Sequence, residues 1–217
     1  MYYNSYWMIG ENEFSVVSGE EMEKNHAAYG IYGEIVPFNE AICIGNPIAD
    51  FASTAFIEER LCSLNTSYLI YKVKISSQLH RIPKDKDVNL VFGYDMFCSI
   101  NLLYLLAQFD YREFNNTFKI HILDEETMKN LEYYELNAKG FYELFVQNII
   151  NKNKTNTPIK SINKALDLYY LYKKHDKDTL LAMLNEYDDN LKALRRHREY
   201  GLPDYEWQKW LDAVITK

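Results

Sequence analysis

The chain has 217 residues, a formal net charge of −7 and 47% apolar residues, a composition typical of a globular protein with a sizeable core. The acidic balance argues against broad electrostatic attraction to nucleic acid or anionic lipid. The apolar runs are far shorter than the roughly 20 residues that span a bilayer, and no basic segment followed by an apolar block opens the chain. We therefore predict a cytoplasmic protein.

The first third of the chain predicts two strands with a helix between them. The segment 6–10 (YWMIG) reads as a short strand, and Ser18 opens an acidic stretch typical of a helix start. A second strand ends at Pro37, because a proline interrupts backbone pairing, and leaves a loop that carries Glu40.

The next segments alternate between helix and strand patterns. Residues 50–64 have helical spacing, with Asp50 or Ser53 as the cap, whereas residues 68–73 fit a helix or a strand equally well. Residues 87–109 predict a buried strand, a turn at Gly93 and a buried helix. A further strand at 118–123 then favours a right-handed crossover, and therefore a parallel pair of strands.

The residues after Asn130 have helical spacing without an obvious strand, in particular at 141–149 and 162–170. The predicted fold is therefore α/β. We expect a small parallel or mixed sheet flanked by helices in a domain of residues 1–128, and an all-helical region of residues 129–217 packed on it.

The candidate ligand site lies at the carboxyl edge of the predicted sheet, where open α/β proteins bind their ligands. Asp95 stands at the predicted N-cap of the central helix, Glu40 follows the second strand, and Arg60 has a guanidinium that can bind phosphate or neutralise the acids. Asn101 and Cys98 lie on the central helix and complete the predicted ligand-binding set. The alternatives are structural: a simple cap for Asp95, an internal ion pair for Arg60, an internally satisfied amide for Asn101 and a buried thiol for Cys98.

Motifs for specific chemistry are missing from the sequence. There is no G-x-x-x-x-G-K-[ST] loop, no G-x-G-x-x-G and no G-x-S-x-G elbow. The five histidines are scattered, and the three cysteines, Cys43, Cys62 and Cys98, are widely spaced and are interpreted as buried free thiols. We therefore predict no metal site, name no catalytic residue and no cofactor, and leave open whether the protein is an enzyme.

Two other functions remain as alternatives to small-ligand binding. The Tyr-rich helical region could bind a protein partner or a second copy of the chain. The basic run KALRRHR, followed by a Gly-containing turn, has the outline of a helix-turn-helix that would contact DNA through Lys192, Arg195, Arg196 and Arg198. The acids of the following helix would repel phosphates.

Three blocks of the sequence resemble, in order, those of the bacterial family known as domain of unknown function 1835. They are GEIVPFNEAICIGNP with FIEERLCSL, then VNLVFGYDMFCSINLLYLLAQF, and finally REYGLPDYEWQKWL. The positions that match the family's pattern are Glu40, Arg60, Asp95, Cys98 and Asn101. Near the start the chain has IGENEF where the family commonly shows a Gly-Asp pair. The resemblance implies an α/β domain with a helical C-terminal part and no known reaction.

Overall fold

Five strands form one mixed sheet in this computed structural model, which describes residues 8–124 and 126–174. The strand order is β2-β1-β3-β4-β5; β5 pairs antiparallel with β4, and all other pairs are parallel. The α/β fold and the parallel pair joined by the central helix agree with the prediction. The strands are β1 (Phe14–Ser18), β2 (Glu34–Phe38), β3 (Val88–Gly93), β4 (Phe118–Asp124) and β5 (Lys129–Leu136).

Helices connect and cover these strands. A π-helical stretch (Lys72–Ser76) joins α3 to α4, another (Val146–Ile150) extends α6, and a short 3-10 helix (His26–Tyr29) precedes β2. None of the helices in the described ranges has the length and apolar character to cross a membrane. The helices are α1 (Gly19–Lys24), α2 (Thr54–Ser63), α3 (Tyr68–Tyr71), α4 (Ser77–Leu79), α5 (Met96–Tyr111), α6 (Phe141–Phe145) and α7 (Lys160–Lys174).

Two expectations about the strands need correction. The first strand is β1 at Phe14–Ser18, and of the predicted segment 6–10 the described part contributes only an isolated bridge between Ile9 and Ile31. The expected all-helical region from residue 129 begins instead with β5, so the predicted boundary falls inside the β4–β5 hairpin. The glutamates of β5 hid its period-2 pattern, because an edge strand buries little of either side.

Helix α5 forms the centre of the core. All of its residues except Phe97, Asp110 and Tyr111 are buried, and it packs between the sheet and the pair formed by α6 and α7. Asp95 caps it as predicted: the backbone N–H of Cys98 donates to Oδ1 of Asp95 at 2.8 Å. Because α5 is apolar all round, its position is set by burial on every side.

The strand order places a topological switch point between β1 and β3. The chain leaves β1 towards β2 on one side and leaves β3 towards β4 on the other. In doubly wound sheets, the reversal opens a crevice at the carboxyl ends of the two strands. Here those ends are Ser18 and Gly93.

Candidate functional site at the carboxyl edge of the sheet

The loop that follows β2 is buried, and Arg60 holds its backbone. The Arg60 side chain comes from α2, is wholly buried, and uses all five of its N–H donors within the protein. Its Nη atoms donate to the carbonyl oxygens of Ala41 at 2.8 Å and Ile44 at 2.6 Å. The remaining donors reach Oε1 of Glu40 at 2.9 and 3.3 Å and Oε2 of Glu59 at 3.3 Å. No donor of Arg60 is left for a phosphate.

Glu40 is the buried counter-charge of Arg60. Besides the guanidinium, its Oε1 accepts the backbone N–H of Ala41 at 2.9 Å, and its Oε2 accepts the hydroxyl of Tyr71 at 2.8 Å. Burial opposes the charge on Arg60, but the neighbouring Glu40 carboxylate outweighs it and the pKa of Arg60 is raised. Burial and the Glu40 charge raise the pKa of Tyr71, so that its phenol remains a hydrogen-bond donor.

Asn101 joins the same network from the core helix. Its Nδ2 donates to the carbonyl oxygen of Glu40 at 2.6 Å, and its Oδ1 accepts the backbone N–H of Ile42 at 3.0 Å. The loop ends at Gly45, whose φ is +79° and whose added Cβ would lie 1.9 Å from Oγ of Ser63, so only glycine fits there. We call Glu40, Arg60 and Asn101 the loop clamp, since together they satisfy the backbone of a buried loop.

A second polar cluster lies at the switch point itself. Ser18 Oγ and Cys98 Sγ are 3.0 Å apart, and the Cys98 side chain also hydrogen-bonds to the Asp95 carboxylate. Asp95 and Ser18 are half-buried and Cys98 is 7% exposed. Burial raises the pKa of Asp95, while the hydrogen bonds from Cys98 oppose that rise. We call Ser18, Asp95 and Cys98 the edge cluster.

The structure thus places the five predicted ligand-binding residues in two groups. Glu40, Arg60 and Asn101 share the loop clamp, whereas Asp95 and Cys98 meet Ser18, which the sequence had marked only as a helix cap. Ser18 makes no side-chain capping bond to α1 and contacts Cys98 instead. Asn101 lies six residues after Asp95 on α5, a rise of about 9 Å along the helix axis. No hydrogen bond or ion pair between described residues links Asp95 directly to Glu40 or Arg60.

An open groove of about 570 Å³ lies at the opposite, amino end of the strands. Charged residues of both signs line it, and several of them pair with each other or with Lys119. Glu34 lies 3.8 Å from Arg81, and Lys119 lies 3.5 Å from Glu13 and 3.7 Å from Asp87. Acidic and basic side chains therefore lie close together in this groove, and it does not present a surface of a single charge sign.

A row of polar side chains crosses the sheet face, and the sequence analysis missed it. His121 Nε2 lies 3.3 Å from Oδ1 of Asn89, and its Nδ1 lies 3.2 Å from Nδ2 of Asn130. Next to Asn89 on β1, Ser15 is fully buried and its Oγ has no hydrogen-bond partner among the described residues. Burial lowers the pKa of His121 to about 4. The signal was a polar residue inside each of the apolar strands β1, β3 and β4, at positions that neighbour each other only after the strands pair.

Other predicted features are distributed as follows. Cys43 and Cys98 are buried free thiols as expected, whereas Cys62 is exposed. Among residues 8–124 and 126–174, no three His, Cys, Asp or Glu side chains come together as a metal-binding group. Tyr169 and Tyr172 of the Tyr-rich region lie in the core. The predicted DNA-binding residues, Lys192, Arg195, Arg196 and Arg198, lie outside the described residues.

No known protein family, curated protein or solved structure matches this chain. The resemblance to domain of unknown function 1835 stays a prediction.

Proposed function

We propose that the chain binds a small polar ligand at the crevice between β1 and β3, with Asp95 as its principal contact. The observation that carries the proposal is the edge cluster, which sits where the strand order reverses. Asp95 Oδ1 accepts the backbone N–H of Cys98 at 2.8 Å, and the Cys98 thiol and the backbone groups of Phe97 and Asp95 also hydrogen-bond to the carboxylate. A ligand hydroxyl or amine would replace the thiol as a donor to this carboxylate.

The chemistry of the edge favours a ligand that donates hydrogen bonds over one that presents phosphate. A phosphate at this position would meet the like charge of Asp95, and Arg60 has no free donor with which to compensate it. Glu40, Arg60 and Asn101 then serve the site by fixing the loop beside it. The proposal includes no catalytic step.

A thermal-shift screen with matched pairs of compounds tests the proposal. Sugars and nucleosides are each compared with their phosphorylated forms against the wild type and Asp95→Asn. Asparagine caps helices as well as aspartate does, so this variant removes the charge and keeps the cap. A ligand at about 100 times its Kd stabilises by about 2.7 kcal/mol, which corresponds to a rise in Tm of about 5 to 10 °C for a chain of this size.

We expect a shift by an unphosphorylated compound that Asp95→Asn removes. The control is Asp87→Asn in the amino-end groove, which should retain the shift. If Asp95→Asn retains every shift and Asp87→Asn removes it, the ligand binds at the opposite end of the strands. If only phosphorylated compounds shift the wild type, the chemistry proposed for the ligand is wrong.

A further inference from the structure

The helical segment from α3 to α4 is apolar on both of its sides. Its inner side buries Tyr71, Ile75 and Leu79 at a spacing of four residues. Its outer side exposes large apolar side chains that we call the α3 patch: Tyr68 (58% exposed), Leu69 (69%), Ile70 (56%) and Val73 (52%). Four such side chains within six residues exceed the scattered exposure that is ordinary on a protein surface, and they mark a contact surface.

A shallow apolar groove runs beside the α3 patch. Ile57 and Leu61 of α2 line it together with Tyr68. Tyr68 belongs to both the α3 patch and the groove, so the exposed side chains of Leu69, Ile70 and Val73 form a ridge on the helix that borders the recess. A ridge and a recess on the same face can interdigitate with a second copy of that face, because a twofold axis places each ridge against the other recess.

The charges at the border of this surface are also self-complementary. Glu58 lines the groove, and Lys72 holds its Nζ 6.0 Å from the ring centroid of Tyr68, which lines the same groove, so one acid and one base lie at the border of this surface. Both side chains are exposed, and neither forms an ion pair with another described residue. Across a twofold axis, Glu58 of one protomer would face Lys72 of its partner.

We propose that the chain forms a twofold-symmetric dimer through the α3 patch and the adjoining groove, with Glu58 pairing with Lys72 across the axis. A second copy fits these observations better than an anionic membrane, since the chain carries a net charge of −7. The π-helical stretch from Lys72 to Ser76 widens the helix at this surface, a feature that often accompanies functional sites.

The mass of the full chain in solution, measured by sedimentation velocity over a range of concentrations, tests this proposal. We expect a dimer for the wild type and a monomer for Leu69→Glu. Leu131→Glu is the matched control, because Leu131 on β5 is also exposed (52%) but lies outside the patch; it should remain dimeric. Unchanged circular dichroism shows that each variant is folded.

Charge exchange tests the arrangement of the two protomers. Glu58→Lys and Lys72→Glu should each raise the Kd of the dimer about tenfold, because one substitution alters both symmetry-related Glu58–Lys72 pairs. The double variant should regain the wild-type affinity. A monomeric wild type, a dimer that survives Leu69→Glu, or a double variant weaker than both single ones would overturn the proposal. Binding of a monomeric wild type to anionic vesicles would assign the patch to a lipid surface instead.

Discussion

The loops that leave β2 and β3 reach the same edge of the sheet, and each carries one carboxylate in different surroundings. Glu40 is 1% exposed and accepts hydrogen bonds from Arg60, Tyr71 and its own loop. Asp95 is half-buried, and its carboxylate accepts hydrogen bonds from the Cys98 thiol and from backbone groups of its own turn, without an ion pair to another described residue. The difference teaches that an acid at a sheet edge is not in itself a ligand group, because its existing partners decide what it can still bind.

The largest expected effect comes from breaking the loop clamp. Arg60→Met leaves the Glu40 charge buried without its partner and removes donors from two buried carbonyl groups. Breaking one side of a buried pair costs about 3 to 5 kcal/mol, measured as the free energy of unfolding in urea. Arg81→Ala is the control, since its pair with Glu34 is exposed and is worth about 1 kcal/mol or less. Equal effects of the two variants would show that the buried network does not support the loop.

The amide of Asn101 tests the clamp without changing a charge. Asn101→Leu keeps the branching of the side chain at Cγ but leaves the carbonyl of Glu40 and the N–H of Ile42 without partners. Burying unsatisfied backbone groups costs about 1 to 3 kcal/mol each, so the two groups together predict a loss of about 2 to 6 kcal/mol in the same urea titration. A variant as stable as the wild type would mean that the loop finds other partners.

At this edge of the sheet, the sequence predicted the interactions between residues close together in the chain and missed those between distant residues. The cap of α5 joins residues three apart, so an acid before an apolar helix was enough to predict it. Glu40 and Arg60 are 20 residues apart in the sequence. Their role in holding the loop after β2 can be recognised only once that loop is known to be buried. Ser18 meets Cys98 across 80 residues, which no local pattern encodes. β5 escaped prediction because its pairing with β4 outweighs its weak local preference.

The free energy of unfolding, against which these variants are compared, depends on pH through His121. Burial lowers the pKa of His121 from 6.5 to about 4. The charge of Glu13 opposes this lowering, and the charge of Lys119 adds to it. Because His121 is harder to protonate in the native state than in the unfolded state, the native state has its full stability above about pH 6.5. It loses stability as the pH falls from there towards about 4. Between pH 7 and pH 5 we expect a loss of about 2 kcal/mol.

His121→Gln removes this titration and keeps an amide that can bond to Asn89 and Asn130. Its free energy of unfolding should therefore change less than that of the wild type between pH 7 and pH 5. Parallel pH profiles of the two proteins would refute the assignment to His121. The stabilities of the loop-clamp variants and of the Asp95 variants should therefore be compared at or above pH 7.

The smallest effect on stability, and the most informative one for the site, is expected at Asp95. Asp95→Ala removes the cap and should cost about 1 kcal/mol, whereas Asp95→Asn should cost a few tenths at most, because either side chain accepts the N–H of Cys98. If Asp95→Asn instead destabilises as strongly as Arg60→Met, the carboxylate at the switch point supports the fold as much as that of Glu40 does. In that case both carboxylates are structural, and Asp95 of the edge cluster is not available to bind a ligand.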